Sequence, residues 1–98
     1  MLISKQNREI RDAVVRFDRR IEEMHLEFQK YRTGDARKMP EWQVFEREIL
    51  VFSKRRILDL ELSKQLERVM LKFQNRKKIW LRWIEEYHKQ PRTGEPEA

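Results

Sequence analysis

Apolar residues in the first third of the chain recur at heptad spacing. Two sets of positions, each repeating every seven residues, alternate at intervals of three and four. The first set is Ile3, Ile10, Phe17, Met24 and Tyr31, and the second is Asn7, Val14, Ile21 and Phe28. Because all nine positions fall on one narrow stripe of a helix, the pattern predicts a helix over about residues 3–32. Gly34 lies just beyond it, where a helix commonly stops.

A second apolar pattern follows a loop predicted at 33–40, which contains Gly34 and Pro40. Proline suits the first turn of a helix, and no Gly or Pro occurs again before residue 91. One heptad position is shared, apart from an interruption at Asp59, by Phe45, Phe52, Leu66, Phe73, Trp80 and Tyr87. We therefore predict one long helix over about 41–90 and a flexible tail over 91–98. A kink near 53–56 stays open, since no breaker forces one.

These two helices predict an antiparallel hairpin with unequal arms. Pairing across the loop puts Ile3 near Met70, so part of the longer helix extends past its partner. The aromatic residues left without a partner are Phe73, Trp80, Trp83 and Tyr87. Fully burying one such side chain is worth about 1.5–3 kcal/mol, which makes their exposure costly.

The sequence thus predicts a single all-α domain over 1–98, a long, coiled-coil-like helical hairpin. The middle of the longer helix is apolar on more than one side, and one antiparallel partner cannot cover so broad a surface. We therefore expect a homodimer that forms a four-helix arrangement. Parallel and antiparallel dimers would use the same stripes, so that choice stays open.

Composition narrows the fold classes and the compartments. The 98 residues include 2 Gly, 3 Pro and no Cys, which argues against turn-rich sheet folds and excludes disulfides and cysteine nucleophiles. No window of 18 apolar residues exists, so no membrane span is expected. Since the N-terminal residues lack the apolar stretch of a signal peptide, we predict a cytoplasmic protein that is not secreted.

Two similar segments, 21–25 and 84–88, each contain a Glu-x-x-His spacing that resembles the ligand spacing of di-iron helical bundles. Glu22 and Glu85 point away from the apolar stripes of their helices, so we predict neither a metal nor another cofactor. Serine residues lie in no nucleophile context, and no Gly-rich phosphate loop occurs. We expect no enzymatic activity.

The most informative segment runs from 68 to 83, where basic and aromatic residues are interleaved without an acidic one. The net charge of +6 favours anionic partners in general. The candidate partner-binding residues are Arg68, Lys72, Arg76, Ile79, Trp80, Arg82, Trp83 and Tyr87.

Four readings of this segment stay open: a solvated basic face with aromatics in a dimer core, a surface for an acidic protein, a nucleic-acid interface and a contact with anionic membrane. We favour a non-catalytic protein–protein interaction module, such as a small adaptor, regulator or assembly factor. The alternative is a nucleic-acid-binding regulatory protein that uses the basic ridge of this segment, which consists at helical spacing of Arg68, Lys72, Asn75, Ile79 and Arg82.

Overall fold

The computed structural model describes the backbone of residues 2–89 and the side chains of residues 5–88. Three helices occur in order, α1 (Leu2–Arg32), α2 (Trp42–Ser53) and α3 (Leu60–Lys89). Between residues 2 and 89 there is no strand, which confirms the all-α class. The tail predicted over 91–98 lies outside the described residues.

Local signals in the sequence end α1. Gly34 adopts a φ of 86°, a left-handed conformation that residues with a Cβ rarely take. This turn lets the backbone N–H of Asp35 reach the carbonyl oxygen of Lys30 at 2.8 Å, and the hydroxyl of Thr33 donates to the carbonyl oxygen of Gln29 at 3.1 Å. These bonds satisfy carbonyl groups that the end of the helix would otherwise leave unpaired.

The single helix predicted over 41–90 is corrected, because the structure divides it at residues 54–59. The backbone N–H of Arg55 turns back onto the carbonyl oxygen of Phe52. Asp59 then starts α3, since its Oδ1 accepts the backbone N–H of Leu62 at 3.0 Å. The residue that interrupts the heptad line in the sequence therefore acts as the cap of a new helix.

This break reverses the chain and makes α3 run parallel to α1. The residue numbers of the contacting pairs increase along both helices in the same direction. Lys72 pairs with Asp18, and further along Tyr87 contacts Tyr31 with ring centroids 4.7 Å apart. The prediction of an antiparallel hairpin with unequal arms is thus corrected to an up-down-up arrangement of three helices.

The short helix α2 runs in the opposite direction to both long helices. Glu46, in its first half, pairs with Lys77 of α3 at 2.6 Å. Arg55, just beyond its last residue, pairs with Glu9 in the early turns of α1 at 3.3 Å. Phe45 joins all three helices, since its ring contacts Phe17 at 5.7 Å and Phe73 at 5.3 Å between centroids.

The core is a column of large apolar side chains between the three helices. Its fully buried members include Ile10, Phe17, Ile21, Met24, Phe28, Ile49, Phe73 and Trp80. Most of the heptad positions that the sequence marks on α1 point into this column, which explains why they are apolar. Fully burying each such side chain stabilises the fold by about 1.5–3 kcal/mol relative to its exposure.

The aromatic residues expected to lack a partner have one within the chain. Phe73 and Trp80 are 0% and 1% exposed, and Trp83 and Tyr87 are half-buried against α1. The physical reason is the break at 54–59, which brings α3 back alongside α1. These aromatic side chains therefore need no second molecule to cover them, and they no longer support the predicted dimer. No helix between residues 2 and 89 is long and apolar enough to cross a membrane.

Candidate functional site

The inner half of the predicted basic surface is paired with acidic residues of α1. The Nζ of Lys72 lies 2.7 Å from Oδ1 of Asp18 and 2.8 Å from Oε1 of Glu22. Arg76 donates from Nη2 to the same oxygen of Glu22 at 2.9 Å. These two cations therefore tie α3 to α1, and most of their charge is compensated within the chain.

Protonation equilibria in this cluster reflect the pairing. Hydrogen bonds to Asp18 and Glu22 raise the pKa of Lys72 above its ordinary value. The hydrogen bond from Lys72, assisted by the charge of Arg76, lowers the pKa of Glu22. Both shifts favour the charged forms, so Lys72 and Glu22 stay ionised near neutral pH.

The aromatic members of the predicted surface face inwards. Trp80 stacks on Phe28 with ring centroids 4.8 Å apart, and its Nε1–H donates to Nδ1 of His25 at 3.1 Å. Trp83 lies against His25 on one side, at 5.2 Å, and the guanidinium of Arg32 sits 5.0 Å from the centre of its ring. Trp80 is thus unavailable to a partner in this conformation, and Trp83 is available only in part.

His25 has one protonation state that fits this contact. To accept the bond from Trp80, its Nδ1 must carry no proton, so the neutral ring holds its proton on Nε2. Burial lowers the pKa of His25, and the nearby charge of Arg76 lowers it further, whereas Glu22 opposes both. The neutral ring is therefore the form that this packing stabilises.

Exposed basic residues of α3 form a continuous row on the side away from the core, which we call the outer stripe. Its members, spaced by three or four residues, are Lys64, Arg68, Leu71, Asn75, Lys78 and Arg82. Of the predicted site residues, only Arg68 and Arg82 belong to it, and Ile79 lies half-buried at its edge.

The four cations of the outer stripe lack an acidic partner in the described part of the chain. Among the side chains of residues 5–88, no carboxylate forms an ion pair with any of them. From Lys64 to Arg82 the stripe extends over about 27 Å of helix. Leu71, 64% exposed, supplies an apolar contact near its centre. The stripe therefore presents two pairs of cations, Lys64 with Arg68 and Lys78 with Arg82, on either side of a large exposed apolar side chain.

Sequence reasoning missed Lys64 and Lys78 because it drew the basic ridge closer to the core, through Lys72. The periodicity itself holds the missing signal: residues opposite Phe73 and Trp80 on a helical wheel are the solvent-facing ones. Applying that test to each cation would have separated the inner from the outer set.

A shallow groove of about 450 Å³ lies where the 54–59 segment meets α3. Its apolar wall is formed by Ile57, Leu66, Met70 and Leu71. Leu71 belongs both to this wall and to the outer stripe, so the two features are adjacent.

The two Glu-x-x-His segments do not come together as a metal centre. Glu22 is engaged by Lys72 and Arg76, and His25 accepts from Trp80. Within the described part of the chain, no group of three or more His, Asp or Glu side chains lies close enough together to hold a metal ion.

Similarity to known proteins does not direct the choice of function. Comparisons of the chain with protein-family models, with curated proteins and with solved structures gave no match. The surface of the chain itself therefore has to indicate the function, and the outer stripe of α3 is the candidate that it offers.

Proposed function

We propose that the chain is a non-catalytic protein–protein interaction module, a small intracellular adaptor, regulator or assembly factor, and that it binds through the outer stripe. The observation that carries the proposal is the row of four cations around exposed Leu71 that lack an acidic partner in the described part of the chain. Two other cations of α3, Lys72 and Arg76, are instead paired with carboxylates of α1. The stripe places four cations on one face of α3.

An acidic, partly apolar protein surface fits the stripe best. Two separated pairs of cations steer an acidic partner and fix its register, while the exposed leucine between them contributes apolar contact area. An acidic helix lying along α3 would meet both features, since its own carboxylates recur at the same spacing. Leu81, 42% exposed near Arg82, extends the apolar contribution towards the C-terminal end.

Nucleic-acid binding is the second candidate, because the same row of cations over about 27 Å would also neutralise phosphates. The aromatic rings that would stack on bases are not at this surface: Trp80 is buried, and Trp83 is held between His25 and Arg32. The nucleic-acid hypothesis therefore predicts binding through phosphates alone, without sequence preference and with a steep salt dependence.

The test compares two variants that lose the same amount of charge. One carries Lys64→Gln, Arg68→Gln, Lys78→Gln and Arg82→Gln on the outer stripe. The matched control carries Arg8→Gln, Arg11→Gln, Arg19→Gln and Lys30→Gln, four exposed cations of α1. Affinity capture from native extract, with and without nuclease, is followed by identification of the retained proteins.

The proposal predicts proteins that the wild type and the α1 control retain and the stripe variant loses, whether or not nuclease is present. Retention of the same proteins by the stripe variant would refute it. Gel-shift titrations with random DNA and RNA at several salt concentrations complete the comparison. A stripe-dependent shift together with nuclease-sensitive capture would establish the nucleic-acid alternative instead.

A further inference from the structure

The segment between α2 and α3 has the composition of a helix. Residues 54–59 read Lys-Arg-Arg-Ile-Leu-Asp, without the Gly or Pro that usually enforces a break. No residue other than Gly34 has a positive φ among those the structure describes, so the turn contains no conformation that demands a glycine. Nothing in the backbone chemistry of this segment prevents it from being helical.

An exposed apolar stripe crosses the break at heptad spacing. Val44, Val51 and Leu58 recur every seven residues and are 41%, 61% and 62% exposed. Leu50, 38% exposed, and half-buried Ile57 repeat the spacing one position earlier. If 54–59 were helical, all of these side chains would share one face of a continuous helix. We call this set the crossing stripe, and the present fold divides it between α2 and the turn.

Polar contacts at exposed side chains hold the turn in place. Gln6 donates from Nε2 to the carbonyl oxygen of Arg56 at 3.0 Å, and Arg55 pairs with Glu9 at 3.3 Å. The Asp59 cap begins the following helix. Exposed polar contacts of this kind compete with water, so they stabilise the turn only modestly.

From these observations we propose that the chain exchanges α3 with a second copy of itself. In the exchanged dimer, residues 54–59 are helical, α2 and α3 form one helix, and α3 packs on α1 of the other copy. Every contact between α1 and α3 is then remade between the two chains, including the pairing of Lys72 with Asp18 and the stacking of Trp80 on Phe28.

The surface of α1 that α3 leaves in the exchange is covered by α3 of the second copy. The face of α1 that α3 covers is identical in both copies, so α3 of one copy can make the same contacts with α1 of the other. In the exchanged dimer the two joined helices lie side by side at their middle segments. The crossing stripes then cover each other, which gives the exposed side chains of Val51 and Leu58 a burial that the single chain does not provide.

Two substitutions at one exposed position separate the exchange from simple face-to-face association. Leu58→Pro blocks a helix through the turn, whereas Leu58→Ala removes the same side chain and favours helix. The side chain is 62% exposed, so both variants should fold as single chains. Light scattering over a concentration series gives the dimer fraction of each.

The proposal predicts a wild-type dimer fraction that rises with concentration and a dimer constant at least about 100-fold weaker for Leu58→Pro. Leu58→Ala should still dimerise. Asp59→Ala, which removes the cap that starts α3, should raise the dimer fraction several-fold. A chain that stays monomeric even as Asp59→Ala, or a dimer that Leu58→Pro leaves intact, would overturn the proposal.

A mixing experiment identifies the exchanged helix. One variant carries Asp18→Lys and Glu22→Lys on α1, and another carries Lys72→Glu and Arg76→Glu on α3. Each places like charges at the contact within its own chain. After the two are unfolded together and refolded, exchange predicts a heterodimer in excess over both homodimers, because the reversed charges then meet between chains.

The chain that carries all four reversals serves as the folding control, since its pairs are restored within one molecule. If it folds and the co-refolded mixture still contains no heterodimer, α3 is not exchanged. These outcomes are independent of the outer stripe, whose residues none of the variants touches.

Discussion

The two faces of α3 have similar cations and opposite surroundings. On the inner face, Lys72 and Arg76 meet the carboxylates of Asp18 and Glu22 at hydrogen-bonding distance. On the outer face, Lys64, Arg68, Lys78 and Arg82 meet solvent. The difference shows that a basic segment is not one functional unit: the neighbouring helix decides which charges stabilise the fold and which remain for a partner.

The large apolar residues of α3 also differ between the two faces. Trp80 and Phe73 lie on the inner face and are buried, whereas the exposed large apolar residues of α3 are the leucines Leu60, Leu71 and Leu81. The inner face therefore determines stability, and the outer face is expected to determine binding. The four predictions that follow test that division, from the largest effect on stability to the smallest.

Trp80→Ala should lower the free energy of unfolding by about 3–5 kcal/mol, because it leaves a cavity beside Phe28 and removes the donor to His25. Urea denaturation followed by circular dichroism measures the change. The outer-face control Leu71→Ala, at a side chain 64% exposed, should stay within about 0.5 kcal/mol of the wild type. Equal effects of the two would erase the distinction between the faces.

Stability should fall as the pH drops through 6.5, the ordinary pKa of histidine. The folded-state pKa of His25 is lower than this, so the unfolded chain binds the proton more readily and acidification favours unfolding. His25→Asn keeps an acceptor at the Nδ1 position for Trp80 but does not titrate. Denaturation at a series of pH values should therefore show a flatter profile for this variant above the range where Glu22 protonates.

One result for His25→Asn would contradict this prediction. A variant whose stability still falls as steeply as the wild type through pH 6.5 would show that the contact between His25 and Trp80 does not govern this transition. Glu22 adds a separate loss at lower pH, below its ordinary value of 4.5, because its folded-state pKa is also lowered.

Lys72→Met should cost about 0.5–1 kcal/mol of unfolding free energy at low salt, since it removes the cation between Asp18 and Glu22 but keeps the packing of the side-chain stem. Raising the salt concentration should shrink the difference, because screening weakens the wild-type pair. Thermal denaturation at two salt concentrations measures both quantities. A loss that is unchanged in high salt would indicate packing and not charge.

Arg68→Gln combined with Arg82→Gln should leave the free energy of unfolding within about 0.5 kcal/mol of the wild type, because both side chains are exposed and unpaired in the described fold. The same double variant should weaken capture of the partners retained through the outer stripe. Denaturation and affinity capture on one protein preparation test the two halves together. Lost stability or unchanged capture would each contradict the assignment of the outer face.

Part of this arrangement could be predicted from the sequence. The heptad positions of α1, such as Phe17 and Phe28, identified its buried stripe, because helical periodicity depends only on neighbouring residues. The all-α class followed for the same reason. The sequence leaves a kink near 53–56 open but does not predict the full reversal at 54–59, because no Gly or Pro marks it and Asp59 interrupts the heptad line without revealing that it caps a new helix.

The difference between a continuous helix and a turn at 54–59 also changes the surroundings of the predicted site residues. With a continuous helix, Trp80 and Tyr87 lie beyond the end of α1 and require a second molecule; with the turn, they pack on α1. Local patterning does not reveal which of two well-matched helix pairings the chain adopts, since both bury the same stripes. Of the residues predicted to bind a partner, Arg68 and Arg82 do lie on the solvent-facing side of α3.

The parallel packing of α3 on α1 within one chain is the central claim, and one distance tests it most directly. Spin labels at Arg32→Cys and Glu86→Cys replace two half-exposed side chains whose ends lie 4.0 Å apart, in a chain without other cysteines. The labelled chain is diluted into an excess of unlabelled chain, so that only distances within one molecule are measured by pulsed electron resonance. The account predicts that the monomer gives a single short distance, limited by the labels themselves. A monomer that gives a distance on the order of 65 Å, as a continuous helix from residue 42 to residue 86 would produce, would contradict it.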